Sequence, residues 1–309
     1  MSKIAFVFPG QGSQAVGMGK DLYENLEIAR ELYKLADEIM GVKLSEISFN
    51  GPAEELKQTN FTQPALYVHS YILTKLINDN IKAECTAGHS LGEYTANAYA
   101  GTFGFEDGLR IVKTRGILMK NSGTIAQGTM AALIGLTKEQ VIEICNKASA
   151  DGVVQAANFN CPGQIVISGE VKAIESAIKI AKDAPYNCKI AKKLEVSGAF
   201  HSELMRTADK DLRDALDNMQ LNEPSIPVYN NTTGEPLKDT DNIRKALKEQ
   251  LTSPVLWELS VLNMIRDGVS KFYEIGSGKV LTGLIKKISP DVETINISCL
   301  EDLKNLGIL

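Results

Sequence analysis

Gly88-His89-Ser90-Leu91-Gly92 fits G-x-S-x-G. That spacing sets a serine on a sharp strand-to-helix turn with its hydroxyl projecting outward, the arrangement of an acyl-transferring nucleophile. Glycines flank it because a side chain would clash in so tight a turn. The flanks agree. Glu84–Ala87 reads as a short strand, and Leu91–Ala100 as a helix stopped by Gly101. That helix N-terminus would favour negative charge developing beside Ser90. The pentapeptide does not decide the matter. At ordinary glycine and serine frequencies a chain this long carries it by chance roughly one time in ten. An ordinary glycine-rich turn fits the pattern equally.

A serine nucleophile needs a base, usually histidine. The sequence holds three: His69, His89 and His201. His69 lies in an apolar helical stretch and reads as core. His89 is inside the turn and is expected to point away from Ser90. His201 follows Val196-Ser197-Gly198-Ala199-Phe200, a loop of mostly small residues at a junction between structural units, where function concentrates. Elimination therefore selects His201. The residues themselves identify no acid to orient it.

In the predicted helix Phe105–Lys120, Ile111, Arg115 and Leu118 share one face. An arginine among apolar neighbours needs an anion, and its planar fork suits a carboxylate. Pairing with a protein acid, or extension to the surface, would satisfy it equally.

These residues need a scaffold. Ile4–Phe8, ended by Pro9-Gly10, reads as a buried strand. Asp21–Met40 and Gln63–Asn78 have helical spacing. Strands alternating with helices imply an α/β unit with a parallel sheet. The middle of the chain reads as strand Thr129–Gly135, helix Thr137–Ala150, strands Val153–Asn158 and Gln164–Ser168 joined at Asn160-Cys161-Pro162-Gly163, helix Val171–Lys182 and strand Asn187–Val196. That βαββαβ order is the ferredoxin-like unit. The expected organisation is a large α/β domain of residues 1–127 and 196–309, with a small ferredoxin-like domain of residues 128–195 inserted.

The 309 residues are 44% hydrophobic and 23% charged, ordinary for a globular protein. A net charge of -5 argues against general binding to nucleic acid or to an anionic membrane. The five cysteines are scattered without a C-x-x-C pair, so neither a disulfide framework nor a zinc site is expected. No apolar run is long enough to span a bilayer. A cytoplasmic location is expected.

The blocks Phe8-Pro9-Gly10-Gln11-Gly12-Ser13-Gln14, Gly88-His89-Ser90-Leu91-Gly92-Glu93-Tyr94 and Gly198-Ala199-Phe200-His201-Ser202 resemble the malonyl-CoA:acyl carrier protein transacylases. The resemblance continues through Asn158-Phe159-Asn160-Cys161-Pro162-Gly163-Gln164 and Gln250-Leu251-Thr252-Ser253-Pro254-Val255 to Gly276-Ser277-Gly278-Lys279-Val280-Leu281. It thus covers nearly the whole chain in order. Two positions depart from the pattern: Ser277 where proline is frequent, and Leu256 where arginine is common.

The resemblance implies a hydrolase-like large domain, with the active site in the cleft beside the small one. It implies Ser90 as nucleophile, His201 as base, and the Gln250 backbone carbonyl as the group orienting that base. It gives the backbone N–H groups of Gln11 and Leu91 as oxyanion donors, Arg115 as clamp for the malonyl carboxylate, and Phe200 as the residue selecting malonyl over a methylated homologue. Malonyl-CoA would be a substrate and acyl carrier protein the acceptor, feeding fatty acid synthesis, with no metal or redox cofactor and a monomeric enzyme. Lys189, Lys192 and Lys193, or Lys286 and Lys287, are candidates for docking an acidic carrier. A thioester hydrolase, a loading enzyme for polyketide synthesis, and a docking protein without catalysis remain the competing readings.

Overall fold

A computed structural model describes residues 3–77, 80–125, 127–196, 198–206 and 209–309. Lys3–Phe8 forms strand β1, whose last four residues are buried. Successive side chains of a strand point to opposite faces. Phe6 and Phe8 therefore enter one apolar core, packed with the helices Glu27–Met40, Thr59–Ile77 and Phe105–Ile125. Ala5 and Val7 enter another, with Trp257, Phe272 and Leu281. Burial on both faces explains why β1 reads as a continuous apolar run rather than an alternating one.

The neighbours of β1 are β2 (Cys85–Gly88) and β9 (Val269–Ile275), both parallel to it. Counting β3 (Gly128–Ile134), β4 (Val154–Cys161), β5 (Gln164–Glu170), β6 (Ile190–Lys193), β7 (Val228–Tyr229), β8 (Pro236–Leu237) and β10 (Glu293–Ile297), two sheets form among the described residues. One has the order β10-β9-β1-β2-β7-β8 and is parallel except at β8. In such sheets ligands gather beyond the carboxyl ends of the strands. Here Phe8 and Gly88, the last residues of β1 and β2, are register partners, so the segments that leave them emerge side by side.

The other sheet is antiparallel with the order β4-β5-β3-β6. Helices Lys138–Ala148 and Val171–Lys182 supply its core with Val141, Ile144, Ile174 and Ala177. Chain order and strand order together are those of the ferredoxin-like unit. Thr137 and Gln140 close a capping box at the first helix. The two sheets are bonded to each other. Phe159 N–H donates to the Val255 carbonyl at 2.9 Å, and Val255 N–H to the Ala157 carbonyl at 2.8 Å.

Several boundaries differ from the sequence reading. The helix expected over Asp21–Met40 is two, Lys20–Asn25 and Glu27–Met40, because Leu26 is extended. Tyr23 on the first segment packs against Phe49 and Tyr33 at ring distances of 5.2 and 6.0 Å, a tertiary contact that overrides local periodicity. The second helix starts at Thr59 and not at Gln63. Gln58 nucleates it by accepting from the Phe61 and Thr62 N–H groups, and Pro64 forfeits a single bond within it. Its expected end, Asn78, lies outside the described residues. In the small sheet β4 runs on to Cys161, which pairs with Gln164, so the turn is Pro162-Gly163 alone. The strand expected over Asn187–Val196 shortens to Ile190–Lys193, since Asn187 takes a positive φ of 49°.

Candidate active site

Ser90 sits just past β2 with a φ of 52°, a left-handed conformation costly for any residue but glycine. The sequence around it permits that turn. A Cβ on Gly88 would lie 1.9 Å from the Gly92 carbonyl carbon, and one on Gly92 would lie 2.0 Å from the Phe8 carbonyl oxygen. Neither position admits a side chain. Asn231 straps the turn from the far side. Its Oδ1 accepts from the Ser90 N–H and its Nδ2 donates to the Gly88 carbonyl, both at 2.7 Å.

The buried His201 faces the serine. Its Nε2 stands 2.8 Å from Ser90 Oγ, and its Nδ1 stands 2.9 Å from the Gln250 carbonyl oxygen. A carbonyl can only accept, so Nδ1 carries the proton and Nε2 is left to accept from the serine hydroxyl. Burial, reinforced by the Arg115 charge, holds the imidazole down to about 3. The base is therefore neutral and ready over the whole physiological range. The unperturbed value is about 6.5. Acylation of Ser90 by p-nitrophenyl acetate should accordingly keep its rate as pH falls through 6, with the acid limb appearing below about 5. A limb centred near 6.5 in a stopped-flow pH series would show the ring to be solvated and this geometry wrong.

Arg115 completes the group. It is fully buried, yet among the described residues it meets no carboxylate at ion-pair distance. Its Nη1 donates to Gln63 Oε1 at 2.7 Å, and its Nη2 donates to both Ser90 Oγ and Gln250 Oε1 at 2.9 Å. The Tyr94 ring lies 5.3 Å from the guanidinium carbon. A buried cation held only by neutral acceptors, directly beside a serine hydroxyl, is poised for an anionic group attached to that serine.

Ser90 and His201 line a cleft of about 200 Å³ together with Gln11, Gln63, Leu91, Met119 and Phe200, and Arg115 is bonded to two of these lining residues, Ser90 and Gln63. Among the described hydrogen bonds, none uses the backbone N–H of Gln11 or of Leu91. Phe200 is buried beside His201. The other histidines stand as their sequence positions implied: His89 bonds Asn160 Oδ1 at 2.8 Å, and His69 is wholly buried in the helix Thr59–Ile77. Ser197, in the loop before His201, lies outside the described residues.

Sequence reasoning gave no role to Asn231, Gln63 or Glu93, nor to the side chain of Gln250. Each acts here through a contact far away in the chain, which no local pattern announces. The candidate docking lysines divide. Lys189 and Lys287 line a second, larger cavity of about 760 Å³, which shares Gln164 with the catalytic cleft and is also lined by Leu256. Lys193 faces Glu175 at 3.7 Å, and Lys286 is tied to the Val292 and Pro290 carbonyls.

Comparison with known proteins places these features in context. The family model for an acyl transferase domain matches residues 5–297. A malonyl CoA-acyl carrier protein transacylase of Bacillus subtilis is 45% identical over 96% of this chain and 94% of its own. The crystal structure of an acyl carrier protein S-malonyltransferase from Vibrio cholerae superposes with a TM-score of 0.93 at 40% identity, covering 99% of this chain and 100% of the other. A malonyl-transacylase solved in complex with its type II polyketide synthase acyl carrier protein also gives 0.93, at 36% identity and 98% coverage of both chains.

Proposed function

This chain belongs to the acyl transferase family, as a malonyl-CoA:acyl carrier protein transacylase, and from that premise we propose how its residues move the malonyl group from coenzyme A to the carrier's phosphopantetheine thiol. Ser90 Oγ attacks the thioester carbonyl of malonyl-CoA while His201 Nε2 takes its proton. The Leu91 and Gln11 N–H groups receive the oxyanion, the first being the residue after the nucleophile in a strand-to-helix elbow. Coenzyme A leaves as the thiol with the proton from His201, and a malonyl ester remains on Ser90. The carrier thiol then gives its proton to His201, attacks the ester, and the proton returns to Ser90. Throughout, Arg115 holds the free carboxylate of the short diacid, and Phe200 narrows the space beside its α-carbon.

One observation carries this reading: Ser90 Oγ is held between His201 Nε2 at 2.8 Å and Arg115 Nη2 at 2.9 Å. A hydrolase would need the first contact only. Base, clamp and nucleophile come from a single chain, which supports a monomeric catalytic unit. All five cysteines are unpaired, which supports a reducing compartment such as the cytoplasm. Among the described residues no helix is long and apolar enough to cross a membrane. The reading requires no metal or redox group, and no nucleic acid.

Incubation with malonyl-CoA should place a malonyl ester on the peptide containing Ser90, and added holo-carrier protein should discharge it onto the pantetheine thiol. Release of free malonate at one rate with or without carrier would identify a thioester hydrolase instead. The polyketide complex among the neighbours raises the second reading, supply of malonyl groups to polyketide synthesis. Its chemistry is identical. Preference between a fatty acid carrier and a polyketide carrier, measured in the same assay, separates the two.

A further inference from the structure

Glu93 lies in the first turn of the helix Gly92–Tyr99 and is 1% exposed. A carboxylate so deep must be satisfied by donors. Its Oε2 accepts from Gln250 Nε2 at 2.6 Å and from the Asn231 N–H at 3.2 Å, and among the described residues no lysine, arginine or histidine pairs with it directly. The next link matters more. The same Gln250 amide presents Oε1 to Arg115 Nη2, while the backbone carbonyl of Gln250 faces His201 Nδ1. Gln250 Nε2 also donates to the Ser90 carbonyl at 2.9 Å.

We propose that Glu93 is a positioning residue that acts through Gln250, fixing with one buried carboxylate both the clamp and the base; this rests on the roles given above to Arg115 and His201. A primary amide can be turned end for end with little change of shape. Burial pushes the Glu93 carboxyl up to about 7, so above that pH two charged neighbours decide the sense of the amide. An acid must face its N–H side and a guanidinium its oxygen side, so the amide is locked between Glu93 and Arg115. The arrangement balances the arginine at one remove. A carboxylate in direct contact would occupy the fork that the substrate's carboxylate has to enter. A carboxylate behind an amide supplies compensating charge and leaves the fork available. Fixing the Gln250 side chain also fixes the end of the helix Thr240–Gln250, from which the carbonyl reaches His201.

Glu93→Gln tests this with the volume kept. Its amide can donate as well as accept, so the Gln250 amide loses its enforced sense and Arg115 loses its balancing charge. Rate constants for acylation of Ser90 are measured for malonyl-CoA and acetyl-CoA by single-turnover mass spectrometry, well above pH 7 so that the wild-type Glu93 is ionised. The expected result is a fall of the malonyl-to-acetyl ratio by ~10-fold or more, on the scale of one hydrogen bond to a charged group, with a smaller fall for acetyl-CoA from the loosened base. Glu93→Asp, which keeps the charge but shortens its reach, should recover part of the ratio, and it serves if the glutamine variant is poorly folded. A ratio within twofold of the wild type in both variants, with only the melting temperature lowered, would make Glu93 a helix-terminal structural acid and overturn the proposal. The wild type in the same experiment tells the two readings apart. If it takes no malonyl group, the proposed function fails. If it does and the variants keep its ratio, only the role of Glu93 fails.

Discussion

Ser90→Ala should yield a folded protein that takes no malonyl group at all from malonyl-CoA. The hydroxyl is the only atom that alanine lacks, and the tight turn does not depend on it. Its left-handed φ is held by Asn231, whose side chain bonds the Ser90 N–H and the Gly88 carbonyl rather than Oγ. The variant leaves His201 Nε2 and one arm of Arg115 without the serine, but Arg115 keeps Gln63 and Gln250. The stability change should therefore stay within about 1 kcal/mol, the net worth of an ordinary hydrogen bond. The chemical loss is far larger, because no other step can replace bond formation to Oγ. Removing the nucleophile of a serine–histidine pair costs on the order of a millionfold in rate. Intact-mass measurement after incubation with malonyl-CoA reads the adduct, and a thermal melt reads the fold. A stoichiometric adduct on the variant would move the nucleophile elsewhere and take the role of His201 with it.

How much of this was legible beforehand follows from how far each contact reaches along the chain. The elbow is local. Gly88, Ser90 and Gly92 constrain one another within five residues, so the strand, turn and helix around them could be read directly. The 2.8 Å contact from Ser90 to His201 joins residues far apart in sequence, yet elimination among three histidines reached it, since His69 read as core and His89, inside the elbow, as pointing away from Ser90. Arg115 was legible as an arginine on an apolar helix face, but that pattern did not say which anion it serves. The supporting contacts gave no such sign. Asn231 follows the two-residue strand β7 in a polar turn, and nothing in Asn230-Asn231-Thr232-Thr233 marks one of its residues as the strap of a distant elbow. Glu93 was visible only as part of a motif. The break at Leu26 was hidden for the same reason, as the packing of Tyr23 against Phe49 and Tyr33 settled it against the local periodicity.

Arg115→Ala should change which acyl group is accepted rather than abolish transfer. The guanidinium is fully buried and donates to neutral acceptors, one of them the nucleophile itself, so the carboxylate of a malonyl ester on Ser90 would meet it within the cleft. Without it that carboxylate is enclosed and unpaired. Loss of one partner from a buried charge pair costs ~2–5 kcal/mol, from about 30-fold to several thousandfold. Acetyl-CoA has no carboxylate to pair, so it should lose far less. The nucleophile, the base and the oxyanion donors come from other segments of the chain. Removal of the positive charge also relieves one of the influences that, beside burial, hold the His201 imidazole down, which shifts that ring upward towards its ordinary value. Acetyl transfer should therefore be compared well above pH 7, where the base is neutral in both forms. Arg115→Lys should recover only part of the malonyl activity, because an ammonium cannot reproduce the two-pronged fork that reaches Gln63 on one side and Ser90 with Gln250 on the other. The measurement is the ratio of malonyl to acetyl transfer onto one carrier protein for wild type, alanine and lysine forms. An equal fall for both acyl groups in the alanine form would make Arg115 a structural tie between its helix and Gln250, and the malonyl carboxylate would then need another cation.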